Sequence, residues 1–269
     1  MRQQLSGKDQ SKSSRMGIRG VLLAAVLFPL AMAGAFAQSQ SQGQYVDDYA
    51  SGMKLYKEGH YEEALSHIHK AASEGRQEAQ YQLCLMFKRG QGMKAPDAGE
   101  AYVWCKKSAD QGYGPAEHEM ASSLQTGWGV AKDPAAALDY YLKASRQGVP
   151  EAQYALGLLY EFGDGGVKQS YYQARTLYMW ASGKGYSPAT YRVGTLYEEG
   201  KGVRPSMAAA LLWYRKAATM GNEDALARLE TMRKQEEEMD AAARAADEAE
   251  REAARAAKEE AAQPQQGRP

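Results

Sequence analysis

A period of 36 or 37 residues recurs in this sequence from residue 64 to residue 225. Alanine returns at one point of the period in five successive copies, and glycine returns four residues before each alanine. The alanines are Ala79, Ala116, Ala152, Ala189 and Ala225, and the glycines are Gly75, Gly112, Gly148, Gly185 and Gly221. A fixed period of this length is typical of solenoids, in which each repeat is one supersecondary unit that buries its apolar face against its neighbours.

The segment before each glycine has the pattern of an amphipathic helix, here called helix B. Counting back from the glycine, alanine stands at position −11 and a small residue at position −4 in every copy, with mostly bulky residues at positions −8 and −7. These four positions share one helix face, so a neighbouring helix can approach closely at the small residues. Asp or Ser at position −15 predicts the N-cap of helix B in four copies. These residues are Asp97, Asp133, Ser170 and Ser206.

The segment that starts near each recurrent alanine predicts a second helix, here called helix A. Its apolar positions are the alanine itself and the residues at +4, +5 and +8, as in Ala152, Leu156, Gly157 and Tyr160. Three residues after the last of these, a glycine in each of four copies predicts the left-handed residue that ends the helix. These glycines are Gly90, Gly127, Gly163 and Gly200. Each repeat is therefore expected to be a helix A–loop–helix B hairpin.

These strings resemble a known family. Residues 151–163 read EAQYALGLLYEFG, and residues 197–203 and 212–218 read YEEGKGV and LWYRKAA, which is similar to Sel1-like repeats. The resemblance covers residues 78–222 in four copies, whereas residues 45–77, with a loop reduced to Glu58-Gly59, resemble the related tetratricopeptide repeat. It implies an all-α, right-handed superhelical solenoid of antiparallel helix pairs, and it implies binding of a partner.

The first 37 residues have the pattern of a secretory signal peptide. Five basic residues and one acid precede an apolar run over residues 21–33, and small residues follow at Ala35 and Ala37. We expect cleavage after Ala37, a linker over residues 38–44, and a periplasmic or secreted mature protein. A retained membrane anchor is disfavoured because 13 apolar residues are too few to span a bilayer. Translation from Met1 and from Met16 both remain open.

The other end of the sequence is highly charged. Residues 223–235 predict a sixth helix A that caps the solenoid, and residues 236–269 predict an Ala/Glu/Arg-rich tail, helical or disordered. Residues 236–260 hold ten acids and four bases. A coiled-coil arm and a solubilising tail are both possible, and the lack of an apolar heptad seam favours the tail. Over the whole chain 33 basic residues balance 33 acidic ones, which argues against a nucleic-acid partner.

Motifs for catalysis or cofactor binding are not recognisable in the sequence. The Gly-x-Gly turns lack the preceding strand and the Gly-Lys-Ser/Thr of a phosphate loop, so helix termination explains them better. The four histidines, which include His67 and His69 on different helix faces, do not have the spacing of a metal site. We therefore expect a protein that is not an enzyme, with neither cofactor nor metal.

Cys84 and Cys105 are the two cysteines of the chain, and they belong to one repeat. One lies on the packing face of helix A and the other on that of helix B, so a disulfide within the hairpin is possible in an oxidising compartment. The alternative is two buried free thiols, with the side chains one turn out of register. The sequence leaves both open.

The helix A groove, where helix-pair solenoids usually bind ligands, offers candidate binding residues. Position +2 from each of the first four alanines carries an aromatic or histidine side chain that could anchor an extended peptide, and charged residues follow near the helix ends. The candidates are Tyr81, His118, Tyr154 and Tyr191, with Lys88, Arg89, Glu161, Glu198 and Glu199. The competing interpretation is that the tyrosines only pack between repeats.

Together these features predict an exported, non-catalytic protein-interaction scaffold or regulator in the cell envelope. Its expected partner is another envelope protein or an exposed peptide, and the mature chain is not expected to span the membrane. One alternative is a cell-wall hydrolase with its site on the concave face. Another is that the charged tail, rather than the groove, is the main interaction element.

Overall fold

The computed structural model describes residues 48–262, and the predicted signal peptide and linker lie outside them. Within this range the chain forms eleven α-helices and no strand. Helix α1 covers residues 48–58. The others are α2 (Tyr61–Ser73), α3 (Gln77–Arg89), α4 (Ala98–Asp110), α5 (Gly114–Thr126), α6 (Pro134–Arg146), α7 (Pro150–Phe162), α8 (Tyr171–Gly183), α9 (Ser187–Glu199), α10 (Met207–Thr219) and α11 (Glu223–Ala262).

Helices α1 to α10 form five A–B hairpins in chain order, which we number 1 to 5, and the A helix of a sixth unit begins α11. Every helix from α2 to α10 has 13 residues, about 20 Å at 1.5 Å per residue. Each helix packs mainly against the helices next to it in sequence. This one-dimensional stacking is the solenoid that the period predicts.

Side-chain caps begin the B helices of hairpins 2 to 5, as expected. Asp97 accepts a hydrogen bond from the Glu100 backbone N–H at 2.9 Å, and Asp133 accepts one from the Ala136 N–H at 3.0 Å. Ser170 and Ser206 do the same in hairpins 4 and 5. The A helices of hairpins 2 to 5 end on left-handed glycines, which confirms the predicted helix stop.

The core of each hairpin pairs position +5 of helix A with position −7 of helix B. In hairpin 4 these residues are Gly157 and Tyr178, and a Cβ on Gly157 would lie 2.4 Å from the Tyr178 ring. Hairpin 5 repeats the arrangement with Gly194 and Tyr214. A glycine is needed here because the ring occupies the space that a side chain would take.

Cys84 and Cys105 occupy these same two positions in hairpin 2. Their sulfurs are joined as a disulfide, with the Cα atoms 5.1 Å apart, inside the usual range for such a bond. The two side chains are in register because +5 and −7 face each other in every hairpin. The disulfide thus replaces the contact of a tyrosine ring with a small residue that hairpins 3 to 5 have at these positions.

The second glycine of the loop has a role in hairpins 2, 3 and 5 that the sequence did not indicate. Gly129 has φ +74°, and a Cβ there would lie 2.3 Å from the Ala98 carbonyl oxygen in the preceding hairpin. Gly92 approaches the backbone of Tyr61 in the same way. These loops therefore serve as contacts between repeats in addition to ending helix A.

Replacing Gly129 by Ala is expected to destabilise the protein by about 2 kcal/mol or more, through backbone strain and a clash with the preceding hairpin. Gly112→Ala is the matched control, because Gly112 has φ +81° with open space around its Cα. Urea denaturation would compare the two variants. Equal losses of unfolding free energy would mean that the contact with Ala98 contributes nothing.

Helix α11 joins the expected capping helix and the expected tail without a break at residue 235. Its first turns pack on α10 through the buried Ala225, and side chains 234–259 are exposed. Two positions that face helix B in the other repeats, +5 and +8, carry Glu230 and Arg233 here, and these two form an ion pair at 2.8 Å. Charged residues at apolar positions explain why the stack of hairpins stops at this point.

Candidate protein-binding groove

The four candidate rings at position +2 lie on successive A helices, α3, α5, α7 and α9, and each is half-buried. Tyr81 packs edge-on against Tyr113, with ring centroids 5.4 Å apart. Tyr154 lies 5.4 Å from Tyr186 and 5.6 Å from Tyr178. The rings therefore have a packing role within and between hairpins while part of each surface faces solvent.

His118 and Tyr191 complete this row. The His118 ring lies 5.9 Å from that of Tyr141, and the Tyr191 ring lies 5.3 Å from that of Tyr214. Burial lowers the pKa of His118 against the opposing effect of Glu119, which favours a neutral imidazole at pH 7. The row is thus a mostly uncharged aromatic surface.

The charged candidates Lys88, Glu161 and Glu198 share position +9 of helix A, and each is paired across a repeat junction. The partner stands at position +3 of the next helix A. Lys88 Nζ lies 2.5 Å from a Glu119 carboxylate oxygen, and Arg192 Nη1 lies 3.6 Å from Glu161. Arg228 Nε donates to Glu198 at 3.2 Å. These charges hold neighbouring repeats together, a role that sequence analysis did not assign to them.

Tyrosines from helix B extend two of these ion pairs into hydrogen-bond networks, one buried around Glu161 and one partly buried around Glu198. The Tyr178 hydroxyl donates to Glu161 at 2.6 Å, and the Tyr214 hydroxyl donates to Glu198 at 2.5 Å. Burial, reinforced by the carboxylate, raises the pKa of both tyrosines, so they remain protonated donors. The Arg228 guanidinium holds the pKa of Glu198 below its ordinary value.

Hairpin 3 has a neutral version of the same network. There the Tyr141 hydroxyl donates to Gln125 Oε1 at 2.8 Å, and Ala155 of the next hairpin stands where the three charged junctions have Glu119, Arg192 or Arg228. Burial raises the pKa of Tyr141 to about 12. The tyrosine contact therefore does not require a charged acceptor.

The remaining charged candidates are exposed. Arg89 donates to the Tyr56 hydroxyl at 3.3 Å, and Glu199 pairs with Lys201 at 2.6 Å. Exposed ion pairs of this kind contribute little to stability. Arg89 and Glu199 are therefore the two charges of the predicted groove that remain most available to a partner.

A buried acid, Glu117, forms another junction contact. It is 4% exposed and accepts a hydrogen bond from Gln147 Nε2 at 2.8 Å. The same position +1 carries Gln80, Gln153 and Thr190 in the other Sel1-like units, all uncharged. Burial raises the pKa of Glu117, against the opposing effects of Lys143 and Gln147.

Replacing Glu117 by Gln is expected to stabilise the protein at pH 7 by about 1 kcal/mol or more, because the buried charge is removed and a hydrogen bond can be kept. Because burial raises the pKa of Glu117 in the folded protein, ionisation of this group lowers the free energy of unfolding progressively as pH rises above its unfolded-state pKa. The gain of the variant should therefore disappear toward pH 4. Thermal unfolding at both pH values measures it, with exposed Glu151→Gln as the charge-matched control. A constant or reversed difference would contradict the prediction.

Residues 48–262 contain neither a metal-binding cluster nor a helix that could cross a membrane. No group of three or more His, Cys, Asp or Glu side chains there is arranged to hold a metal ion. In the same range no helix combines the length and apolar character needed to cross a membrane.

Two curated proteins are similar to parts of this chain. "Chitin synthase regulatory factor 3" of Schizosaccharomyces pombe is 32% identical over 88 residues, which is 32% of this chain and 9% of that protein. "Exopolysaccharide production negative regulator" of Rhizobium leguminosarum bv. viciae is 31% identical over 142 residues, 48% of this chain and 52% of that protein. The chain thus matches about half of one relative and a small part of the other.

A solved structure supports the fold. The Sel1 repeat protein from Oxalobacter formigenes is 33% identical and matches with a TM-score of 0.65, over 70% of this chain and 78% of that one. This likeness confirms the expected class, an all-α, right-handed superhelical solenoid of antiparallel helix pairs.

The Sel1 repeat model matches residues 77–113, 114–149, 150–178 and 187–222, which are hairpins 2 to 5. Hairpin 1 lies outside these matches, and its loop is the shortest. Sel1 repeats mediate protein–protein interaction. With four such repeats in order over about half of its length, the chain belongs to the Sel1 repeat family.

Proposed function

We propose that this protein is an exported, non-catalytic scaffold or regulator in the cell envelope, and that it binds a partner protein or an exposed peptide along its A helices. The observation that carries this proposal is the row of half-buried aromatic rings at position +2 of four successive A helices. Rings held at a regular spacing by a rigid scaffold can bind alternate side chains of an extended peptide at low entropic cost.

The names of the two relatives favour a regulatory role. One is a regulatory factor for chitin synthase and the other a negative regulator of exopolysaccharide production. Regulation by binding requires a surface, and it does not require the convergent polar groups of an active site.

Export is proposed from the leader alone. Cell fractionation, with N-terminal sequencing of the mature protein, tests it: a periplasmic or secreted chain that begins at Gln38 is expected. A protein that keeps residues 1–37 and stays in the cytoplasm would contradict it.

The binding proposal is tested by crosslinking and affinity purification of the protein from its own cells. The variant Tyr81→Ser/Tyr154→Ser removes two rings of the row, and Arg89→Glu/Glu199→Lys reverses the two exposed charges without touching the core. We expect at least one of these variants to lose the partner while its helical circular dichroism is kept. If both are folded and recover every partner, the A-helix surface is not the binding site.

A deletion of residues 236–269 distinguishes binding by the charged tail from binding by the groove. On our proposal the truncated protein still recovers its partner, because the tail lies outside the hairpins. If the deletion abolishes partner recovery and the groove variants do not, the tail is the interaction element instead.

A further inference from the structure

The B helices carry a second periodic feature at positions −5 and −8. Position −5 is lysine in four of the five hairpins, and position −8 is aromatic or histidine in the same four. In three of them the lysine lies over the aromatic ring. The distances from Nζ to the ring centroid are 3.7 Å for Lys107 and Trp104, 5.0 Å for Lys143 and Tyr140, and 5.0 Å for Lys216 and Trp213.

Hairpin 4 breaks this pattern at both positions. Trp180 stands where the others have lysine, and Leu177 stands where the others have a ring. Trp180 is 57% exposed, and Tyr172 on the same helix is 66% exposed. A large aromatic residue in place of a solvated lysine forfeits a cation–π pair and exposes apolar surface, which marks an interaction site more often than a packing requirement.

A groove of about 360 Å³ lies beside Trp180, between α6 and α8. Leu156 and Leu177 form its buried floor, and Tyr172 and Trp180 line its outer part. Both flanking helices are B helices, and the A helix α7 contributes Leu156 and Tyr160 to the groove but not Tyr154, its ring at position +2. Its volume is sufficient for one or two large apolar side chains.

The one charged side chain that lines the groove is positive. Arg146 is exposed, and no acidic residue lines the groove. On the flanking helices, Asp139 of α6 is exposed but lies outside the lining, and α8 carries no acidic residue.

We propose that this groove is a second docking surface, which binds an acidic amphipathic helix of a partner protein. A large apolar side chain of that helix occupies the groove against Trp180 and Leu177, and the carboxylates of the helix face Arg146. A helix fits because the groove lies between two neighbouring B helices, each about 20 Å long. A membrane surface fits less well, because the floor is recessed between helices.

The probe is a synthetic amphipathic helical peptide with leucine on one face and glutamate on the flanks, labelled for fluorescence anisotropy. A second peptide has lysine in place of every glutamate. We expect the wild-type protein to bind the acidic peptide at least tenfold more tightly than the basic one.

Trp180→Gln and Arg146→Gln test the ring and the charge separately. Both residues are exposed, and position −5, which Trp180 occupies, tolerates a polar side chain because the other four hairpins have lysine there. We expect each variant to weaken binding of the acidic peptide at least fivefold with unchanged thermal unfolding. Val103→Gln, at an exposed apolar residue of α4, is the control that keeps wild-type affinity.

Three results would overturn the proposal. The first is equal binding of both peptides, or binding that Trp180→Gln leaves unchanged. The second is Trp180-dependent binding to vesicles of anionic lipid with none to the acidic peptide. The third is concentration-dependent self-association that Trp180→Gln abolishes and that blocks the peptide, which would make a second copy the occupant.

Discussion

Replacing Cys84 and Cys105 together by alanine is expected to lower the free energy of unfolding by about 3 kcal/mol. The bond closes a loop across 21 positions of sequence, and its loss frees the unfolded chain while leaving a gap between helices α3 and α4. Urea denaturation with and without a reductant measures the effect. The wild-type protein should lose a similar amount on reduction, and the double alanine variant should not respond.

The other hairpins supply a matched variant for this experiment. Cys84→Ala/Cys105→Tyr gives hairpin 2 the residue pair of hairpin 3, Ala121 and Tyr141, at the same two positions. We expect it to regain part of the lost stability by burying the ring, without any response to reductant. Two free thiols in the denatured, unreduced wild-type protein would contradict the disulfide itself.

Replacing Arg192 by alanine is expected to cost about 3 kcal/mol, because it leaves the carboxylate of Glu161 buried without its cation. Glu161 is 3% exposed, and its other partner is the Tyr178 hydroxyl. Chemical denaturation at pH 7 measures the loss. A change below about 0.5 kcal/mol would mean that the pair is solvated like a surface ion pair.

The double variant Glu161→Gln/Arg192→Ala distinguishes the effect of the buried Glu161 charge from that of the packing contacts of Arg192. It copies Gln125 of hairpin 3 and Ala155 of hairpin 4, at the junction where Tyr141 donates to an uncharged acceptor. We expect it to recover most of the stability lost in Arg192→Ala. A double variant no more stable than the single one would show that the arginine acts through packing and not by balancing the buried charge.

Most of the architecture could be predicted from the sequence because its signals are local. The caps at Asp97 and Asp133 and the stop glycines at Gly90 and Gly127 each act within one helix or one turn, and the 36–37-residue period repeats these signals. Local signals of this kind do not depend on which other part of the chain lies nearby. The family resemblance drawn from the same residues is confirmed by the matches to hairpins 2 to 5.

The candidate site could be predicted only in part. The position of the rings on successive A helices follows from spacing, but the partners of Lys88, Glu161 and Glu198 do not. Each of these charges pairs with a residue about 30 positions further on, at the junction with the next repeat. These three charges, which the sequence analysis predicted to select a ligand, therefore form ion pairs between neighbouring repeats.

By itself, the sequence determined the repeat, the helix boundaries and the apolar faces, since hydrophobic periodicity and capping are properties of short segments. Only the tertiary structure decided that Cys84 faces Cys105, that Gly129 touches Ala98, and that Trp180 lines a groove. Such contacts depend on how helices stack in three dimensions, and residues far apart in sequence meet only when each face has been buried against its neighbour.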